Sequence, residues 1–125
     1  MPNAAGRLKG VVERGGKLVV IDPRRSETAK IASEHHFIRP AGDAAFLLAL
    51  VHTLFDEGLV DLGAAEGLVK GLDTVEAVAR AFAPEAVADV CGIPAATIRR
   101  IAREFAAAVI RLPCDTTGLA PMTRR

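Results

Sequence analysis

Hydrophobic positions fall along this chain in blocks of two different periods. Leu8, Val11 and Val12 recur at helical spacing and stop at Arg14-Gly15-Gly16, which predicts a short amphipathic helix with a glycine stop. Lys17-Leu18-Val19-Val20-Ile21 follows as an apolar, β-branched run without alternation. Such a run predicts a strand covered on both faces, as in a parallel sheet. It ends at Asp22-Pro23, because proline lacks the N–H that a ladder needs and holds its predecessor extended. Asp22 is thereby expected at the carboxyl end of a strand.

Ser26 is a helix cap by type, and Ser26 to Ala32 fit one or two helical turns. His35-His36-Phe37-Ile38-Arg39-Pro40 reads as a short extended segment ending at proline. Asp43 then opens the most periodic helix of the chain, with Phe46, Leu47, Leu50, Val51 and Leu54 on its apolar side and Gly58 beyond its end. Short helices are predicted over 62–70, over 74–82 with Asp73 as cap, and over 84–91 between Pro84 and Gly92. A last helix opens at Pro94, with Ile98, Ile101, Ala102 and Phe105 on one face and Arg99, Arg100 and Arg103 on the other. Residues 111–125 keep no consistent period and read as a loop or frayed tail.

The pattern is that of an α/β chain, and its 125 residues, half of them hydrophobic, suffice for one compact domain with a true core. The longest apolar stretch, Ala44 to Val51, is eight residues, far short of the ~20 needed to span a bilayer. Cys91 and Cys114 cannot form a disulfide framework, and the Met-Pro-Asn start lacks the profile of a signal peptide. A cytoplasmic protein with no membrane association is expected.

The formal charge of +1 hides a layout in blocks. Residues 1–40 carry eight Lys/Arg against four Asp/Glu, residues 41–90 two against nine, and residues 91–125 six against two. Pairing of opposite charges across the fold is the expected use of this layout. With no Trp and no Tyr, the basic segments lack the stacking platform of a single-strand nucleic-acid binder, so no nucleic-acid partner is expected.

Two segments are candidates for chemistry. In open parallel sheets ligands bind outside the carboxyl ends of strands, and an acidic residue there can hold both hydroxyls of a ribose. Ile21-Asp22-Pro23-Arg24 meets that description, and Arg24 and Arg25 could grip phosphate with forked, charge-assisted bonds. The alternative is that Asp22 caps its own turn and the arginines are solvated. The second segment is Ile38-Arg39-Pro40-Ala41-Gly42-Asp43. Asp43 there is an N-cap by type, and a carboxylate so placed could also accept in parallel from the ring N–H and exocyclic amine of guanine, a donor pair that adenine lacks. No metal site is expected, since His35 and His36 point apart and His52 has no i+4 ligand. Cys91, in the row Val87, Val90, Cys91, reads as a small core residue. No catalytic constellation emerges from the spacing.

Taken in order, these segments resemble a known family. Gly15 to Ala29, then Ile38-Arg39-Pro40 with Asp43-Ala44-Ala45 and a Leu-rich helix, are similar to the molybdopterin-guanine-dinucleotide oxidoreductases, among them formate dehydrogenases, periplasmic-type nitrate reductases and dimethyl sulfoxide reductase. The likeness continues through Glu57-Gly58-Leu59-Val60-Asp61, Phe82-Ala83-Pro84-Glu85 and Gly92-Ile93-Pro94, and covers residues 3–108. It implies a fragment of one α/β domain over 1–108, with a Rossmann-like partial parallel sheet followed by a cluster of short helices. It leaves 109–125 as a divergent tail.

In the family this domain holds the guanosine end of a molybdopterin guanine dinucleotide. The resemblance places Ile21, Asp22, Pro23 and Arg24 around ribose and diphosphate, and Arg39, Gly42 and Asp43 at the guanine. It also implies that the iron–sulfur and molybdenum ligands lie in segments of the longer enzymes that these residues do not match. The chain is therefore expected to be inactive alone, with the remaining domains of a parent enzyme as partners. The rival expectation is a structural remnant, or a module that forms homo-oligomers through exposed apolar surface and binds no nucleotide. One departure stands out. The guanine loop of the family usually reads Pro-Gly-Thr-Asp, whereas Pro40-Ala41-Gly42-Asp43 moves or loses the glycine of a left-handed position.

Overall fold

The computed structural model describes residues 4–108, so the tail expected over 109–125 lies outside the described residues. Helix α1, Ala4–Glu13, ends as the sequence predicts. Gly15 takes a left-handed φ of 81°, and the Gly16 amide donates to the Val11 carbonyl at 2.9 Å. Strand β1, Val19–Ile21, is joined through helix α2, Glu27–Ile31, to strand β2, Glu34–His36. Ser26 caps α2 by accepting from the Ala29 amide at 3.3 Å. β1 and β2 pair in parallel, Val19 opposite Glu34 and Ile21 opposite His36, which makes β1-α2-β2 a right-sized parallel crossover unit.

Among the described residues the sheet has only these two strands. The expectation of a strand covered on both faces is met in part, since Val19, Val20 and Ile21, which alternate between the two faces, are each half-buried.

The rest is helical. Helix α3, Asp43–Asp56, is the hub, packed against α5, Pro84–Cys91, against α6, Ala95–Ala107, and against α4, Leu72–Ala79. The core gathers Ile38, Phe46, Ala49, Val87, Cys91, Ile93 and Ile98. Buried positions on α3 are Phe46, Ala49 and Thr53, an i, i+3, i+7 stripe, with the Thr53 hydroxyl donating to the Ala49 carbonyl at 2.9 Å. Leu47, expected on the apolar side, lies one position off that stripe and is 58% exposed. Phe105 continues the α6 face of Ile98 and Ala102 but is 72% exposed, since the helix runs past the elements it packs on.

Two of the predicted helices differ from expectation. The helix expected over 62–70 is one 3-10 turn, Gly63–Ala65, in a stretch where Gly63, Gly67 and Gly71 all adopt positive φ and interrupt any longer helix. α4 starts at Leu72 on a left-handed Gly71, so Asp73 sits in the first turn and is not the cap. α5 begins and ends as expected, with Pro84 at its opening and a left-handed Gly92 at its close.

The blocks of charge do pair across the fold. Arg99 of α6 reaches Glu85 of α5 at 3.0 Å and Asp56 of α3 at 3.2 Å, and Arg103 reaches Glu57 at 2.6 Å. Arg100 bridges Glu34 of β2 and Glu104, and Lys17 joins the same two carboxylates at 2.9 and 2.6 Å. The basic face of α6 thus pairs with carboxylates of both the helices and the sheet. Hydrogen bonds from Arg100 and Lys17 hold the Glu34 carboxyl at about 2, well below its ordinary value of 4.5.

Candidate functional site

The carboxyl ends of both strands open onto one cleft of about 510 Å³. Its walls are Pro23 and Arg24 from the turn after β1, then Phe37, Ile38, Arg39 and Pro40 from the segment after β2, with Gly92 at the end of α5. A parallel sheet puts such a cleft at its carboxyl edge because both chains leave the sheet there and diverge. The two segments singled out by sequence, sixteen residues apart at Pro23 and Arg39, therefore meet at one place.

Asp22 is held at the rim. Its amide donates to the His36 carbonyl at 3.1 Å, and its Oδ1 accepts from the Arg24 amide at 2.7 Å. This is a closed Asx turn that aims the following residues, and it occupies one of the two carboxylate oxygens. The Asp22 carbonyl lies 3.2 Å from His35 Nε2, which anchors the turn to β2 a second time. Arg24 and Arg25 are exposed, and neither guanidinium forms an ion pair with the described residues. Ile21 packs its side chain against the core and so fixes the strand end from below.

Arg39 has a more structural placement than its sequence context suggests. Its amide donates to the Cys91 carbonyl at 2.8 Å, and its guanidinium Nη1 donates to the Asp89 carbonyl, one of the unpaired carbonyls at the end of α5. Its aliphatic stem lies on Gly92, where an added Cβ would come within 3.0 Å of Arg39 Cγ. Gly92 thus serves twice, as the left-handed stop of α5 and as the flat floor under Arg39.

The next four residues resolve the departure in the loop. Ala41 itself occupies the left-handed region, with φ 67°. The position that the family gives to glycine has neither moved nor been lost, and alanine bears its strain. Gly42 has an ordinary φ of −83° but is buried, and a Cβ there would fall 2.8 Å from Cys91 Cα and 3.0 Å from the Arg39 carbonyl oxygen. Glycine at 42 is required by space, not by backbone angle.

Gly42 is also the N-cap of α3, with its carbonyl accepting from Phe46, whereas Asp43 was expected to cap. Asp43 is the first helical residue, is exposed, and makes no capping bond. Its carboxylate sits in the first turn of a 14-residue helix, where the helix dipole favours negative charge. The cleft wall thus contains Pro23, Arg24 and Arg39 of the expected site residues, while Ile21, Asp22, Gly42 and Asp43 support or flank it.

Sequence reasoning passed over two wall residues, Phe37 and Gly92. Phe37 is 61% exposed directly after a half-buried strand, an exposure that its place in the sequence does not signal. Of the remaining candidates, His52 donates through Nδ1–H to the Ala79 carbonyl at 3.0 Å, and Cys91 is fully buried in the core. Among the described residues no cluster of His, Cys, Asp and Glu could hold a metal, and no helix is long and apolar enough to cross a membrane.

By homology this mixed α/β chain corresponds to a part of the molybdopterin-containing oxidoreductases. It is 40% identical over 95 residues to the thiosulfate reductase molybdopterin-containing subunit PhsA of Salmonella typhimurium, and 32% identical over 107 residues to formate dehydrogenase H of Escherichia coli. These matches cover 76% and 86% of this chain but only 12% and 15% of those proteins. Among solved structures, acetylene hydratase from Pelobacter acetylenicus superposes with a TM-score of 0.76 at 31% identity, over 82% of this chain and 14% of that one. No protein-family model matches the chain.

Proposed function

We propose that this chain forms the part of a molybdopterin oxidoreductase that holds the guanosine end of a molybdopterin guanine dinucleotide. The observation that carries the reading is the cleft itself, where the strand-end turn at Pro23-Arg24 and the loop at Arg39-Pro40 share one wall. The residues present fit such a group. The volume lies within the ~300–1,000 Å³ usual for small-molecule sites, the wall mixes apolar and cationic groups, and the guanidinium of Arg24 is not engaged by the described residues. In this reading Arg24 faces the diphosphate, the second oxygen of Asp22 accepts from ribose, and Asp43 accepts from the two donors of guanine. Arg39 acts by holding the end of α5 under the loop. The metal and its dithiolene ligands supply the redox chemistry when the cofactor is bound, and this chain contributes binding and orientation.

The test is a titration of the isotopically labelled chain with GDP and, separately, ADP, following backbone amide shifts. Shifts centred on residues 21–25 and 39–43 with GDP, and weaker with ADP, are expected. A folded sample that responds to neither nucleotide refutes the reading.

A second reading, a module that docks to other domains of a parent enzyme or to a second copy without binding nucleotide, draws on the exposed apolar side chains. Leu47, Val75, Val78, Val90 and Phe105 all face outward from the helical layer. Concentration-dependent sedimentation together with a silent GDP titration would favour it.

A further inference from the structure

We propose that Phe37 is the platform on which the planar base of the bound nucleotide stacks. This deepens the guanosine-end reading and rests on it. Phe37 is the one aromatic residue of the cleft wall, in a chain that has no Trp and no Tyr. It follows directly on β2, whose Glu34, His35 and His36 are half-buried, yet its own ring is 61% exposed. A large apolar ring turned outward loses the benefit of burial unless something covers it.

The ring is not loose. His35 meets it in an edge-on arrangement, with centroids 4.4 Å apart and planes at 69°, and His35 is itself held at the Asp22 carbonyl. The phenyl group is thereby tied through His35 to the same turn that carries Arg24. The arrangement pre-orients an aromatic surface beside a cation that the described residues leave unpaired, which suits a ligand with a flat π-system at one end and phosphate at the other. Phosphate on its own would use Arg24 and gain nothing from the ring.

The discriminating experiment compares GDP, ribose 5-phosphate and inorganic pyrophosphate against the full chain and two variants, Phe37→Leu and Phe37→Trp, by amide-shift titration. Leucine keeps the apolar contact but removes the π-face, and tryptophan enlarges it. Phe37→Leu is expected to weaken GDP at least fivefold, with both ligands that lack a base within twofold of the wild type, while Phe37→Trp binds GDP at least as well as the wild type. GDP affinity unchanged in Phe37→Leu, alongside clear binding to the wild type, overturns the ring contact and leaves the guanosine-end reading standing. An equal loss for pyrophosphate overturns it too, because Phe37 would then only shape the cleft. No binding of GDP to the wild type removes the site and the platform together.

Discussion

Substituting Gly42 by alanine tests whether the loop is held by close backbone contact. The added Cβ would fall 2.8 Å from Cys91 Cα and 3.0 Å from the Arg39 carbonyl oxygen, against an optimum of ~3.5–4.0 Å between carbon atoms. Both are backbone atoms, so no flexible side chain can swing away. The gap cannot widen freely either, because the Arg39 amide is bonded to the Cys91 carbonyl at 2.8 Å across it. Relieving the overlap costs about 1–3 kcal/mol by the measure of overpacked cores, and stretching that hydrogen bond adds ~0.5–1.5 kcal/mol. The stiffer unfolded chain returns ~0.4–1 kcal/mol, since alanine has fewer unfolded conformations than glycine. The net is a destabilisation of roughly 1–3 kcal/mol, or about 5–20 °C in melting temperature for a domain of this size. Urea unfolding followed by far-ultraviolet circular dichroism measures it directly. A variant within 0.5 kcal/mol of the wild type, with unchanged slope, refutes the close-approach argument.

The neighbouring change should act in the opposite direction. Ala41→Gly relieves a left-handed alanine worth ~1–2 kcal/mol and gives back ~0.4–1 kcal/mol in unfolded-state entropy, so it should stabilise by up to about 1.6 kcal/mol in the same urea assay. A loss of stability would mean that residue 41 is not left-handed in solution. The Glu34 carboxyl, at about 2 in the folded chain, gives a pH prediction. A folded value below the ordinary 4.5 means its stabilisation is complete above pH 4.5 and is lost as pH falls towards 2. The stability gap between wild type and Glu34→Gln, on the order of 1 kcal/mol for so accessible a network, should therefore be flat above pH 5 and close on acidification. A gap that persists at pH 2 would assign it to packing. Asp43→Asn should weaken GDP about tenfold in the amide-shift titration and leave ADP unchanged, because the amide presents one acceptor where the carboxylate presents two. Equal GDP affinity in the variant removes the base-reading role.

What the chain announced in advance was mostly local. The Gly15-Gly16 stop, the Ser26 cap, the Asp22-Pro23 strand end, and the Pro84 and Gly92 bounds of α5 depend on the φ range of a single residue or on a bond a few residues long. Each was legible as written. The stretch over 62–70 misled because its apolar residues carry a helical rhythm while its glycines turn left-handed. The cap of α3 was misassigned because Asp43 has the right chemistry, but the chain enters the helix one residue earlier, at Gly42, where there is no room for a side chain.

Sequence by itself thus determined the α/β class, the parallel strand, the major helices and the two segments that carry the candidate site. Those rest on periodicity and backbone chemistry, which act between near neighbours. The tertiary structure alone decided that Pro23-Arg24 and Arg39-Pro40 share a cleft, and that Arg39 turns its guanidinium to the end of α5. It also decided that Phe37 faces outward and that Glu34 answers to Arg100, 66 residues away. Such outcomes depend on which surfaces meet when the helical layer closes on the sheet. A residue's type sets what it can bond with, and only packing sets what lies within reach.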